Sequence, residues 1–344
     1  MQKRENGITL VALVITIIIL LILAGISISA LTNQGLFTQA QNAKNLTEEK
    51  TAEENEILAN YLEQIEMITG KVKVESVTIS DATTHTATEI TYTWEELSNI
   101  AKMISNDSTI TNDTIEVKVE TNLGTKTLGV GDTATVDGKK VRILGFNHDT
   151  LTTPTAYGTA TATGKAGISF EYIEFLTEAA MNNTILDGGL ATNENGWGAC
   201  DLRTSLNSTI YSGLSIKDKI KQVQKEYIKD YNDAYSKTTS SDYLWLLSCG
   251  EIWNNGYGGE ITRGYAIATE GSQYKYYKIG NPTYSSSTDY TKKTNTINAR
   301  SEWMWLRSPY YDSDEGMFCY VYEDGSCEFQ GACLDLVVAP GFSI

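Results

Sequence analysis

Residues Ile8 to Leu31 read ITLVALVITIIILLILAGISISAL, 24 positions without a charged side chain. As an α-helix such a run reaches roughly 36 Å at about 1.5 Å per residue, enough for a hydrocarbon core of about 30 Å. Ahead of it, Met1 to Gly7 (MQKRENG) is short, polar and net basic through Lys3 and Arg4. Positive charge on that flank predicts a single-pass membrane protein with its N-terminus in the cytoplasm and all residues after Leu31 outside the cell. A cleaved secretory signal has an apolar region of only about 7–15 residues. An uncleaved anchor and a processed one both stay open.

Beyond this run, Leu36, Ala40, Ala43, Leu46, Ile57, Leu58, Tyr61, Leu62, Ile65 and Ile68 recur at steps of three and four, so residues 32–69 read as an amphipathic helix. Lys71 to Ile79 alternates apolar and polar like a half-buried strand, and Thr114 to Val119 alternates again. Between them Thr93 and Glu96 form a capping box that opens a short helix. Residues 70–127 thus read as a small α+β segment. His85, in a Thr-rich loop, reads as solvated.

The remainder, residues 128–344, is Gly-punctuated and aromatic-rich and reads as an α+β domain with long connections. Tyr243 to Leu247 (YLWLL) and Trp303 to Leu306 (WMWL) are apolar on both faces, so Trp245, Trp303 and Trp305 are core candidates. Ser248 and Glu251 make a second possible capping box. Arg203 and Arg307 directly follow apolar elements and read as buried hydrogen-bonding struts.

With 20 Tyr, 6 Trp and 41% apolar residues, the 344-residue chain can build a sizeable core. A net charge of −16 speaks against duplex nucleic acid as a partner, because such binding needs clustered cations. The five cysteines, Cys200, Cys249, Cys319, Cys327 and Cys333, are odd in number and none stands in a CxxC pair, and His85 and His148 lie far from them in sequence, so neither a full disulfide framework nor a zinc site is expected, and no cofactor. A turn at Asp324-Gly325 would set Cys327 opposite Tyr322 and place Cys319 on the other face of that hairpin. Asp312, Asp314 and Glu315 lack full calcium-loop spacing. Tyr, Asp and Gly crowd residues 310–331, as in adaptable binding surfaces. They make Tyr310, Tyr311, Asp312, Asp314, Tyr320, Tyr322, Glu323 and Asp324 the candidate ligand face.

Gly7 directly before Ile8-Thr9-Leu10-Val11 resembles the type IV prepilin processing and methylation signal. The resemblance implies cleavage by prepilin peptidase between Gly7 and Ile8, and residues 8–31 meeting membrane lipid and other pilin subunits. Pilins usually carry Glu where this chain has Ala12, which speaks against a major subunit and suits a minor pilin or pseudopilin. Residues 128–344 resemble a clostridial domain of unknown function through GKAGI, LRTSLN, LLSCGEIW, TRGYA, WLRSPYY and VAPGFSI. That domain is similar to the C-type-lectin-like fold of formylglycine-generating enzymes. Together the resemblances imply a cell-surface protein, in a filament or alone in the membrane, whose lectin-like head recognises an extracellular ligand. A tethered oxidase is the enzymatic alternative, and the residues favour no enzyme.

Overall fold

The computed structural model describes residues 10–33, 41–51, 53–54, 72–183, 192–230, 233–253, 270–282, 302–310 and 316–344. It divides the chain into two compact units, Met1–Lys71 and Val72–Ile344.

In the first unit, α1 (Leu10–Asn33) is helical, as its apolar run requires. Here the expected architecture is corrected: among the described residues, no helix is long and apolar enough to cross a membrane. Residues 41–51 are also helical; most of the expected amphipathic stripe, from Ile57 to Ile68, lies outside the described residues.

The second unit is mixed helix and strand. Helix α2 (Trp94–Asn106) starts where the capping box places it: the Thr93 hydroxyl accepts the Glu96 N–H, and the Glu96 carboxylate accepts the Thr93 N–H at 2.7 Å. Its buried face is Leu97, Ile100, Ala101 and Ile104, spaced for one side of a helix. Strands β1 (Val74–Ile79), β2 (Glu116–Thr121) and β3 (Gly124–Gly129) form an antiparallel meander. In β2 the alternation buries Val117, Val119 and Thr121 on one face.

The boundary expected at residue 128 runs through this unit. The Asn147 amide donates to the Ile104 and Ile110 carbonyls of the preceding segment, and a Cβ at Gly167 would overlap the Ala101 carbonyl of α2. Gly167 therefore serves close backbone approach. His85 is corrected too. Its side chain is only 6% exposed, held between Glu116 at 2.6 Å and Asp132 at 2.8 Å, with its ring over Gly129.

Two five-stranded sheets follow. One has the order β11-β16-β7-β5-β4, from β4 (Thr133–Val136), β5 (Lys139–Phe146), β7 (Ile168–Tyr172), β11 (Leu244–Trp245) and β16 (Gly341–Ser343). Its inner strand β7 is buried at every residue. A Cβ at Gly341 would overlap the Trp245 ring, which explains that glycine in the closing segment. The other sheet has the order β14-β13-β12-β15-β8, from β8 (Thr177–Ala179), β12 (Met304–Tyr310), β13 (Met317–Val321), β14 (Cys327–Gly331) and β15 (Leu336–Val338). Strand β12 is also buried throughout. Strands β6 (Thr150–Leu151), β9 (Val223–Asp230) and β10 (Asp233–Asp242) make a third sheet in the order β10-β9-β6. Trp245 and Trp305 are fully buried as expected, and Trp303 packs partly buried against the core.

Candidate functional site

Four short elements converge where these sheets meet. The loop between β5 and β6 supplies His148 and Asp149, β9 supplies Lys225, helix α3 (Cys249–Trp253) supplies Cys249 and Glu251, and β12 supplies Arg307 and Ser308. Helix α3 begins at its capping box: Ser248 N–H donates to Glu251 Oε2 at 3.1 Å, and Glu251 N–H donates to Ser248 Oγ at 3.1 Å. The cap turns the Glu251 side chain inward.

Lys225 Nζ, 2% exposed, sits 2.8 Å from Asp149 Oδ1 and 2.6 Å from Glu251 Oε1, above the Trp245 ring at 3.8 Å. Asp149 also accepts from Tyr274, Ser169 and Ser343. Glu251 is gripped by Arg307 through Nη1 at 2.5 Å and Nη2 at 2.9 Å, a two-pronged pairing that a guanidinium makes and an ammonium does not. Arg307 donates further to the Leu246 and Glu226 carbonyls, so the strut role is the one it plays. Arg203 does likewise with Asp242 at 2.7 Å.

Burial alone would push the carboxyls of Asp149 and Glu251 up. Lys225 beside the first, and Arg307 then Lys225 beside the second, bring both below their usual range. Glu270 is the exception. Burial pushes it up to about 8 despite nearby Arg307 and the hydrogen bonds from Ser308 and the Ile228 N–H.

Above this floor opens a cleft of about 490 Å³. Its walls carry Lys165, Gln224, Glu226, Lys237, Thr239 and Ser272. The His148 ring stacks on Tyr274 at 3.8 Å between centroids, and its Nε2 lies 2.9 Å from the Ser272 carbonyl. Gly271 has φ +85, and a Cβ there would press on Glu251 and Arg307. The chain thus turns tightly over the ion cluster.

The sulfurs of Cys249, Cys319 and Cys327 all lie within 4.8 Å of one another, with Cys249 and Cys327 3.7 Å apart. The expected hairpin register is corrected here. Tyr322 N–H bonds the Ser326 carbonyl, so the loop is Glu323-Asp324-Gly325, with Gly325 at φ +92, rather than a two-residue turn. Cys327 therefore pairs with Val321 and Phe329 with Cys319. The one-residue shift brings Cys319 and Cys327 to the same face. Burial would raise the Cys249 thiol, but hydrogen bonds with Cys319, Cys327 and Ser308 bring it down to about 5. Its bond to Cys249 holds Cys319 well above the usual thiol value, and burial does the same for Cys327.

Of the ligand face expected from sequence, five residues are described. Tyr310 stacks on Phe329 at 3.7 Å and Tyr320 on Trp303 at 5.2 Å, both buried. Tyr322 is half-buried, and Glu323 and Asp324 are exposed at the hairpin tip. Tyr311, Asp312 and Asp314, like Gly7 and Ile8, lie outside the described residues. The sequence reading singled out Glu251, Arg307 and Cys249 within LLSCGEIW and WLRSPYY, but it missed Asp149, Lys225 and Glu270. No motif marks these three; they meet only through the fold.

Residues 175–344 are similar to a family described as a domain of unknown function, DUF6273. No curated protein and no solved structure matches the chain.

Proposed function

We propose that residues 72–344 form a binding module that takes a small polar ligand, rich in hydroxyl, amide or amino groups, into the cleft above Asp149, Lys225 and Glu251. The observation that carries this reading is a cleft of about 490 Å³ whose floor consists of buried, mutually paired charges. That volume falls within the range of about 300–1,000 Å³ typical of small-molecule sites. Taking these ions out of water has already cost desolvation energy during folding, so the floor meets a ligand with fixed dipoles and no rearrangement. The wall alternates donors such as Lys165 and Gln224 with the acceptor Glu226 and the hydroxyls of Thr150 and Thr239, which suits a ligand carrying both kinds of group. Each floor charge is balanced by a neighbour, an arrangement better matched to holding a molecule than to moving a proton. This reading shares a recognition role with the expectation from sequence and differs from it in proposing the cleft, not residues 310–324, as the site.

The test is a thermal-shift and calorimetric screen of the full chain against sugars, polyols and amino acids. We expect at least one compound to raise the melting temperature, and Thr239→Trp, which fills the cleft from an exposed wall position, to weaken its binding by at least about tenfold, or about 1.4 kcal/mol. A panel without effect, or a compound that binds the Thr239→Trp chain equally well, overturns the proposal.

A further inference from the structure

We propose that Cys249, Cys319 and Cys327 form a three-thiolate site for a soft monovalent metal ion, Cu(I). The inference is independent of the cleft and of any ligand bound there.

Three separate elements deliver the sulfurs: the first residue of α3, the middle of β13 and the first residue of β14. Around an ion with metal–sulfur bonds of about 2.3 Å, three sulfurs in a plane lie about 4 Å apart. One pair is already at 3.7 Å and every pair is within 4.8 Å, so closing on an ion requires shifts of no more than about 1 Å. Packing alone asks a buried cysteine for small apolar volume and not for convergence with other sulfurs. Cys200 shows that simpler case: it is fully buried, and its Sγ donates to the Gly196 carbonyl at 3.3 Å.

The donor set selects the ion. Thiolates are soft and favour Cu(I), zinc or iron–sulfur clusters. Zinc in a structural site nearly always takes four ligands, and among the described residues no His, Asp or Glu joins the three sulfurs. The sulfurs belong to residues at most 3% exposed, which disfavours a water as fourth ligand. Three-coordinate Cu(I) needs neither. On binding, all three sulfurs coordinate as thiolates through three Cu–S bonds, each proton still held on a sulfur leaves to solvent, and copper stays Cu(I). The resulting dianionic centre is flanked by the Arg307 guanidinium, and Ser308 Oγ holds the Cys249 backbone N–H at 3.0 Å.

The experiment uses the full chain, purified without oxygen and under reductant, and titrated with Cu(I) against a competing Cu(I) chelator. We expect one copper per chain, ultraviolet thiolate-to-copper charge-transfer absorption, and X-ray absorption showing three sulfur neighbours without nitrogen or oxygen. Cys249→Ser, Cys319→Ser and Cys327→Ser should each weaken retention by more than about tenfold, since even changes to groups that only hydrogen-bond a ligand cost that much. Cys200→Ser and Cys333→Ser should leave it unchanged. If the cysteine variants fail to fold, the absorption spectrum of the unmutated chain still decides the matter. Failure to hold copper against the chelator, a nitrogen or oxygen ligand, preferential retention of zinc, or a Cys249–Cys327 disulfide persisting under reductant each overturns the proposal.

Discussion

Arg307 is a buried side chain that ties several elements of the fold together. It satisfies Glu251 with both prongs and spends its other donors on the carbonyls of Leu246 and Glu226, so one residue ties β12 to α3 and β9. Removing it leaves a buried carboxylate with Lys225 as its remaining cation. Arg307→Met should therefore cost about 3–5 kcal/mol, the range for breaking one side of a buried ion pair. Adding Glu251→Gln should recover part of that loss, because the two changes are coupled. Urea unfolding of the full chain measures both, and a single-variant cost below about 1 kcal/mol would show that Glu251 is held by something else. The residue type was readable in advance, since an arginine after WMWL has to find partners in a core. Which partners it finds was not, because Glu226 and Glu251 lie far from it in sequence.

At the scale of elements, the hairpin β13–β14 depends on its loop. Asp324 Oδ1 accepts the Ser326 N–H at 2.8 Å, and Gly325 adopts φ +92, a conformation that costs other residues about 1–2 kcal/mol. Gly325→Ala should destabilise the chain by about that amount, whereas Asp324→Asn, which keeps the acceptor, should be close to neutral; equal effects of the two in thermal unfolding would contradict this account of the turn. Asp-Gly signals a tight turn in either of two registers, and the choice between a two- and a three-residue loop decides whether Cys319 and Cys327 meet. Local signals do better where the contact is itself local. Both capping boxes, Thr93 with Glu96 and Ser248 with Glu251, stand where the sequence places them.

For the molecule as a whole, buried titrating groups set the pH dependence. His85 is raised above its ordinary 6.5: burial pulls it down, but hydrogen bonds to Asp132 and Glu116 outweigh that. Its stabilising contribution is complete below about 6.5 and fades as pH rises through the folded value. Glu270, protonated in the fold up to about 8 against an ordinary 4.5, acts in the same direction, at about 1.4 kcal/mol per pH unit in between. Asp149 and Glu251, held low by their cations, act oppositely and lose their contribution only as pH falls through the acid range. Cys249, brought down to about 5, acts in the opposite sense over the same range, so the test lies in the variants: between about pH 5.5 and 8.5 His85→Asn and Glu270→Gln should each shift the slope of stability against pH upward relative to the wild type in thermal melts. Variant profiles that run parallel to the wild type's over this interval would refute the assignment.

From residue order alone came the properties that depend on near neighbours: the helical run of α1, the two capped helix starts, the alternation in β2, and the tryptophans too large and apolar to stay outside a core. Only the tertiary structure decided how residues 72–344 close into one unit, how far Tyr310 and Tyr320 withdraw from solvent, and which ions and thiols face one another. The reason is physical. Periodicity and capping act over three or four residues, whereas Asp149, Lys225, Glu251 and Arg307 share a site because sheets and turns from distant parts of the chain exclude water together.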